Sequence, residues 1–216
     1  MYSNENGFCC GIWNGEIFLE LVELFTKGGP VMYLLLLSSV VVVGIGIERL
    51  NFYNYAGNDG ENFLSALNDK LKSNSVDEVA NFCYAEKSSI GAVAFSGVLA
   101  KTRGENVELA LETAYGEEAM KLRARLNYLS MIVTLSPLLG LLGTISGMIE
   151  SFNIFSLQAG QPLAITGGIG EALIATAAGL CVAIFALMVH TYFAQKLDEL
   201  LSELEKTVNI VLAHLG

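Results

Sequence analysis

The sequence predicts an all-α integral membrane protein with three transmembrane helices and long cytoplasmic helical extensions. Of its 216 residues, 53% are hydrophobic and 16% are charged, a balance too apolar for an ordinary soluble domain. Four windows of at least 20 residues contain no Asp, Glu, Lys or Arg; three are predicted spans, 28–47, 126–149 and 172–195, and the fourth, 151–170, is rich in turn-forming Gly, Asn, Gln and Pro and is predicted to contain a loop. Each predicted span reaches the roughly 20 residues that a helix needs to cross about 30 Å of hydrocarbon.

The three predicted spans divide the chain into seven segments, which give the predicted domain organisation. An N-terminal segment outside the membrane precedes span one, and a helical cytoplasmic loop connects spans one and two. A short periplasmic loop rich in Gly, Asn and Gln, which favour turns, precedes span three and a cytoplasmic C-terminal helix. The predicted boundaries are 1–27, 28–47 (span one), 48–125, 126–152 (span two), 153–167, 168–195 (span three) and 196–216.

The N-terminal segment contains an amphipathic pattern, Glu16–Phe25, in which acidic and apolar residues occupy different helical faces. We expect a short helix lying at the outer surface of the membrane. Gly28 and Gly29 then interrupt the pattern, and Pro30 occupies a first-turn position of span one. Because no basic n-region precedes it, we do not expect a cleavable signal peptide.

The basic residues predict the orientation of the chain. Nine of the 12 Lys and Arg residues lie between Glu48 and Arg125, two lie in the tail from Lys196 onward, and the 153–167 loop contains none. Since basic residues stay on the cytoplasmic side, we expect the N-terminus outside and the C-terminus in the cytoplasm.

Apolar periodicity predicts the helices of the cytoplasmic segments. Two short amphipathic helices are expected at Glu61–Lys72 and Val76–Ala85, and one unbroken helix is expected from Val107 through Leu129 into span two. A similar stripe from Leu197 to Leu215 continues span three. These two extensions pack either against each other within the chain or between subunits.

Composition and motif content exclude several functions. The net charge of −10 argues against nucleic-acid binding, which needs a basic patch. With two histidines, no phosphate-binding glycine loop and no metal-ligand spacing, we expect no enzyme activity, no catalytic residue, no metal and no cofactor. The four cysteines do not form a disulfide framework: Cys83 and Cys181 are expected as apolar fillers, and Cys9 and Cys10 are adjacent.

Small residues recur along spans two and three at helical spacing. They allow close approach of helix backbones in a membrane, where no hydrophobic effect drives association. The candidate helix-packing residues are Gly140, Gly143 and Gly147 in span two and Ala175 and Gly179 in span three. Such patterns also serve packing alone, with no role in transport.

Polar residues in the same spans are candidates for an ion pathway: Thr144, Glu171 and Thr176. An ionisable residue at membrane depth indicates a functional site by default, although Glu171 also suits an interfacial helix N-terminus. A threonine hydroxyl can instead bond a carbonyl of its own helix. Five residues separate Glu171 from Thr176, about 140° on a helical wheel, so both cannot point squarely into one lumen.

Two segments carry a family resemblance. PLLGLLGTISGMIESF (137–152) followed by GEALIATAAGL (170–180) resembles the signature of the MotA/TolQ/ExbB proton-channel family, and FTKGGPVMYLLLLSSVVVVGIGIERL (25–50) resembles its ExbB-type members. The family's polar positions match Thr144, Glu171 and Thr176. Glu150 stands where an uncharged residue is frequent, so it either collects cations at the outer mouth or marks the bilayer edge.

The resemblance implies an inner-membrane homopentamer around a dimer of single-span ExbD/TolR-like subunits, with a TonB-like protein passing work to outer-membrane transporters. On this basis the expected function is a proton-channel-forming subunit of an ExbB–ExbD–TonB-like motor. The alternatives are a TolQ-like subunit of the Tol-Pal envelope-maintenance system and, from a different class, a non-conducting membrane scaffold.

Overall fold

The structure, a computed structural model, describes residues 28–56, 60–73, 76–157 and 162–216, and its secondary structure in these ranges is α-helical. The helices are α1 (Val31–Ala56), α2 (Gly60–Ser73), α3 (Val76–Ala85), α4 (Ser89–Arg103), α5 (Val107–Arg123), α6 (Leu126–Leu157) and α7 (Pro162–Leu215). Within these ranges, three helical stretches are long and apolar enough to cross a membrane: one along α1, one along α5 and α6, and one along α7. The predicted fold class is therefore confirmed.

Several predicted features lie wholly or partly outside the described residues. These are the interfacial helix Glu16–Phe25, the Cys9–Cys10 pair and residues 158–161 of the periplasmic loop. Helix enters the predicted 153–167 loop from both sides, because α6 extends to Leu157 and α7 begins at Pro162. Proline suits this position, since the first residue of a helix has no use for its backbone N–H.

The prediction of one unbroken helix from Val107 to Leu129 was wrong. Helix α5 ends at Arg123 and α6 begins at Leu126. Between them, Ala124 leaves the helical region (φ −53°, ψ 141°), and Arg125 has a φ of 71°, a left-handed conformation that costs about 1–2 kcal/mol in a residue with a side chain. Apolar periodicity could not reveal this interruption, because no Gly or Pro marks it.

The chain forms two compact units. The described part of the first unit comprises residues 28–42, 130–157 and 162–187. The described part of this unit begins with a turn at Gly29, whose φ of 70° favours glycine. The carbonyl oxygen of Gly29 accepts a hydrogen bond from the backbone amide of Met32. In this unit, Val31, Met32 and Leu35 of α1 pack in one apolar cluster with Ala175 of α7.

The second unit, residues 43–129 and 188–216, contains the short helices. The predicted helices 61–72 and 76–85 are confirmed as α2 and α3. Helices α4 and α5 form a hairpin: Gly104 caps α4 in the left-handed conformation, and the Asn106 side chain accepts from the Leu109 amide at the start of α5.

The tail of α7 packs inside its own chain, which is one of the two arrangements that the sequence allowed. A Cβ placed on Gly97 of α4 would lie 2.6 Å from Leu111 of α5 and 2.9 Å from Val211 of α7. Leu111 and Val211 are fully buried. The end of the tail is also held, because Lys101 Nζ donates to the carbonyl oxygen of Leu215 at 2.7 Å.

Candidate functional site

The small residues predicted as packing positions meet along the contact between α6 and α7. A Cβ placed on Gly140 would lie 3.0 Å from the Cα of Thr176, and one placed on Gly179 would lie 2.6 Å from the carbonyl oxygen of Ser136. The Gly179 distance is shorter than real Cβ atoms essentially ever show, the Gly140 distance is tighter than nine in ten real Cβ contacts, and the atoms met at both positions are backbone. The two helices therefore approach as closely as their backbones permit.

Two further glycines of α6 face alanines of α7 in the same way. A Cβ on Gly143 would lie 2.6 Å from the Cβ of Ala175, and one on Gly147 would lie 2.9 Å from the Cβ of Ala172. Both alanines are buried. The structure thus brings together the packing residues that the sequence indicated, over about two helical turns of α6.

A side-chain hydrogen bond joins α6 and α7 at this contact. Thr176 Oγ1 donates to the carbonyl oxygen of Gly140 at 2.9 Å. That carbonyl also accepts within its own helix, so Thr176 adds a second partner to it. Of the polar residues singled out from the sequence, Thr176 is the one whose described hydrogen bond crosses between helices.

Three hydroxyls of α6, those of Thr144, Ser146 and Ser151, are satisfied within the helix. Each donates to a backbone carbonyl three or four residues earlier, the alternative that the sequence left open. The bonds are Thr144 to Leu141 (2.7 Å), Ser146 to Gly143 (3.0 Å) and Ser151 to Gly147 (2.8 Å). In this conformation Thr144 is half-buried, and its oxygen keeps a lone pair for a further donor.

The two carboxylates of the predicted site differ in what is described. Glu171 lies in α7, but its side chain is outside the described atoms. Glu150 is exposed on α6 and, together with Ser146 one turn earlier and Pro30, lines a small cavity of about 50 Å³. A cavity of this size holds one or two waters. Among the described residues, no cluster of His, Cys, Asp and Glu could hold a metal ion.

Ser136 was not singled out from the sequence, although it lies at the α6–α7 contact. Its side chain is fully buried, and its hydroxyl has no hydrogen-bond partner in the part of the chain that the structure describes. The next residue is Pro137, inside α6, which cannot donate to the carbonyl of Val133. The Ser-Pro pair inside a predicted span could have indicated this position, because the serine hydroxyl and the carbonyl left without a proline N–H both need partners in an apolar helix.

Comparison with known proteins agrees with this architecture. The profile of the MotA/TolQ/ExbB proton channel family matches residues 85–206. The putative biopolymer transport protein ExbB-like 1 of Synechocystis sp. is 35% identical over 180 residues, 79% of this chain and 69% of that protein. The Tol-Pal system protein TolQ of Pseudomonas aeruginosa is 37% identical over 98 residues, 45% of this chain and 42% of that protein.

A third relative, the biopolymer transport protein exbB1 of Vibrio cholerae, is 36% identical over 97 residues, 44% of this chain and 42% of that protein. Helices long enough to span a membrane, two of them in backbone contact, define a multi-pass membrane protein of the helical class. The chain belongs to the MotA/TolQ/ExbB proton channel family and is most similar to its ExbB members.

Proposed function

We propose that this chain is the proton-channel-forming subunit of an inner-membrane motor of the ExbB–ExbD–TonB type, which uses the proton motive force to energise transport across the outer membrane. Family membership and the ExbB-like relatives support the general role. In the proposed pathway, Glu171 exchanges protons, and Thr144 and Thr176 supply hydroxyls. Glu150 either collects cations at the outer mouth or marks the edge of the bilayer.

The observation that carries the proposal is the hydrogen bond from Thr176 to the Gly140 carbonyl. A polar side chain in an apolar span is costly unless it has a partner or a function, and such residues mark ion pathways. Thr144 lies four residues, about one turn, from Gly140 on the same helix. Thr144 and Thr176 thus place a hydroxyl on each of two packed spans, and this polar pair in apolar helices supports an ion pathway along the α6–α7 contact.

The available energy suits a mechanical role. Moving one charge through 100 mV supplies roughly 2.3 kcal/mol, so a few protons are enough for a conformational stroke. A carboxylate serves this purpose when partial burial raises its pKa, because it then loads and releases a proton near neutral pH.

The proposed assembly is a homopentamer around a dimer of ExbD/TolR-like single-span subunits, with a TonB-like energy transducer. The long helices expose apolar side chains, among them Leu36 on α1, Leu141 on α6 and Leu187 on α7. Such surfaces are expected to contact lipid or partner subunits, which supports this assembly. We place the N-terminus outside and the C-terminus in the cytoplasm. Cysteine labelling from outside should reach position 158 and not position 74, and the reverse pattern would contradict this topology.

A TolQ-like role in the Tol-Pal system is the second candidate. It is supported by the relative from P. aeruginosa, whose identity of 37% over 98 residues matches that of the ExbB relative from V. cholerae. The two roles share the polar positions Thr144, Glu171 and Thr176, so they are separated by the phenotype that the gene restores.

The test is energy-dependent uptake of an iron chelate in a deletion strain of the native host. The strain carries the gene as wild type, as Glu171→Gln or as Thr176→Val, with membrane levels matched by immunoblot. Gly170→Ala is the matched control, because an added Cβ there meets nothing within 4 Å. We expect uptake from wild type and Gly170→Ala, and loss of uptake with unchanged protein level from the other two.

Other outcomes separate the alternatives. Rescue by Glu171→Gln would remove Glu171 from the pathway and make it an interfacial residue. Absence of rescue by wild type, together with restored envelope integrity, would favour the TolQ-like role. Loss of complex yield in step with uptake would favour the non-conducting scaffold.

A further inference from the structure

The joint between α5 and α6, formed by Ala124 and Arg125, is built from residues that favour a continuous helix. The surrounding sequence, EEAMKLRARLNYLS (117–130), contains no Gly or Pro and consists largely of strong helix formers. The interruption also places Arg125 in the left-handed conformation, which is unfavourable for any residue with a side chain. Local sequence preference therefore opposes the conformation that the chain adopts.

Interruption of the helix also removes backbone hydrogen bonds. In a continuous helix the carbonyls of Lys121 and Leu122 would accept from the amides of Arg125 and Leu126. At a helix end these carbonyls need other donors. The chain must supply them from elsewhere if the interrupted conformation is to be stable.

Helix α1 supplies these donors. Arg49 Nη1 lies 3.3 Å from the carbonyl oxygen of Lys121 and 3.4 Å from that of Leu122, and Tyr53 Oη donates to Leu122 at 2.9 Å. A cation at a helix C-terminus is also favoured by the helix dipole. In addition, Glu48 forms an ion pair with Arg125 itself.

The Arg49 side chain is fixed in this position. It is 4% exposed, and its guanidinium carbon lies 4.9 Å from the ring centre of Phe52 and 5.9 Å from that of Tyr53. Tyr53 is itself buried and packs edge-on against Phe193, with 5.7 Å between ring centres. Two donors on one face of α1 are thus held rigidly against the end of α5.

We propose that Arg49 and Tyr53 form a clamp that holds the α5–α6 joint in its interrupted conformation, and that the joint becomes a continuous helix when the clamp is released. Each conformation satisfies the carbonyls of Lys121 and Leu122, one with side chains of α1 and the other with backbone amides. Such an exchange of equivalent partners produces two discrete states rather than a gradual deformation. The inference does not depend on the proposed function, since it uses the geometry of the joint alone.

The experiment is residue-resolved amide hydrogen exchange of the full-length protein in lipid nanodiscs, read at Leu126 and Asn127. In the interrupted state these are first-turn amides of α6, whereas in a continuous helix they bond the carbonyls of Leu122 and Arg123. The release variant is Arg49→Gln with Tyr53→Phe. We expect its Leu126 and Asn127 amides to exchange about tenfold more slowly than in wild type.

Two single variants keep the test informative if the double variant folds poorly. Tyr53→Phe removes one hydroxyl and should shift exchange in the same direction by a smaller factor. Arg125→Gly removes the penalty of the left-handed conformation, so its amides should exchange as fast as in wild type or faster. Tyr128→Phe, on an exposed side chain of α6, is the control and should leave exchange unchanged.

Unchanged exchange in the release and Tyr53→Phe variants would overturn the proposal, because the clamp would then not determine the state of the joint. Faster exchange along the whole of α5 would also overturn it, since Arg49 and Tyr53 would then serve only to keep α5 folded. Slower exchange at Leu126 and Asn127 in Arg125→Gly would contradict the assignment of Arg125 to the interrupted state.

Discussion

Thr176 and Gly140 are joined twice at one point of the α6–α7 contact. The threonine hydroxyl donates to the glycine carbonyl at 2.9 Å, and the threonine Cα lies where a Cβ on the glycine would come within 3.0 Å of it. The hydrogen bond therefore depends on the close packing, because a side chain at position 140 would push the hydroxyl out of reach. The sequence offered two interpretations of these spans, close helix packing and a polar functional role. At Thr176 and Gly140 the same two residues provide both a close helix contact and a polar contact.

Replacing Thr176 with Val should weaken the α6–α7 contact with little change in volume. We expect a loss of about 0.6 kcal/mol, and at most about 1.7 kcal/mol, as for other hydrogen bonds between membrane helices. Thr144→Val is the matched control, because the Thr144 hydroxyl bonds only its own helix among the described contacts. Thermal unfolding of the purified protein in detergent measures both variants. Equal losses would show that the interhelical bond contributes nothing specific.

Gly179→Ala should destabilise the protein by about 1–3 kcal/mol, the usual cost of overpacking. The new Cβ would lie 2.6 Å from the Ser136 carbonyl, a backbone atom that cannot move without displacing α6. Gly116→Ala, on α5, is the control: its Cβ meets nothing within 4 Å, so it should stabilise the helix by about 0.5–1 kcal/mol. Opposite shifts in melting temperature are expected, and a stabilised Gly179→Ala would contradict the close approach.

Gly97→Ala tests the packing of α4 against α5 and the tail. Its Cβ would come within 2.6 Å of Leu111 and 2.9 Å of Val211, so we expect a loss of about 1–3 kcal/mol. Leu111→Ala alone should cost about 2–5 kcal/mol by leaving a cavity. Because the added methyl partly fills that cavity, the double variant should be more stable than the sum of the single losses predicts. Strict additivity, measured by chemical denaturation, would mean that the two residues do not touch.

Cys83 should resist alkylation in the folded protein. Its side chain is 1% exposed, and burial raises the pKa of its thiol from 9.0 to about 12. In a variant with the other three cysteines replaced by Ser, maleimide should modify Cys83 at pH 7.5 only after unfolding. Rapid labelling of the native protein would show that α3 opens.

The same shift in pKa predicts a pH dependence of stability. The unfolded thiol ionises near pH 9 and the folded thiol near pH 12, so the folded state holds its proton more tightly. The contribution of Cys83 to the free energy of unfolding is fully present below pH 9, and it is lost progressively as the pH rises towards 12. Cys83→Ala should remove this dependence, which denaturation at pH 8 and pH 10 can measure.

Much of the fold followed from the sequence because it rests on length and periodicity. Uncharged windows predicted the long helices, and apolar spacing predicted α2 and α3 within one or two residues. The small residues of spans two and three were identified because close backbone approach requires them. Which residues they would face was not predictable, since it depends on the register of two helices whose contacting residues are distant in the chain.

The joint at Ala124 and Arg125 shows what sequence patterns miss. Every local preference there favours helix, and the donors that stabilise the interruption lie about 70 residues earlier, in α1. In the sequence, Arg49 is simply a charge that flanks span one. Its role emerges from tertiary contacts, which can override helix propensity. Ser136 was missed for a related reason, because a serine in a span is ordinary unless its hydroxyl is found to lack a partner.

Helix α7 runs for 54 residues without interruption, and this length limits how its gene can change. Insertion or deletion of one codon within it would turn every following side chain by about 100° and move it by about 1.5 Å along the axis. No loop inside the helix can absorb such a change. Residues near both ends of the helix make specific contacts. Ala175 and Gly179 pack against α1 or α6, and Val211 packs against α4. Sequence drift in this half of the chain is therefore confined to substitution, and changes in length belong to the junctions between helices.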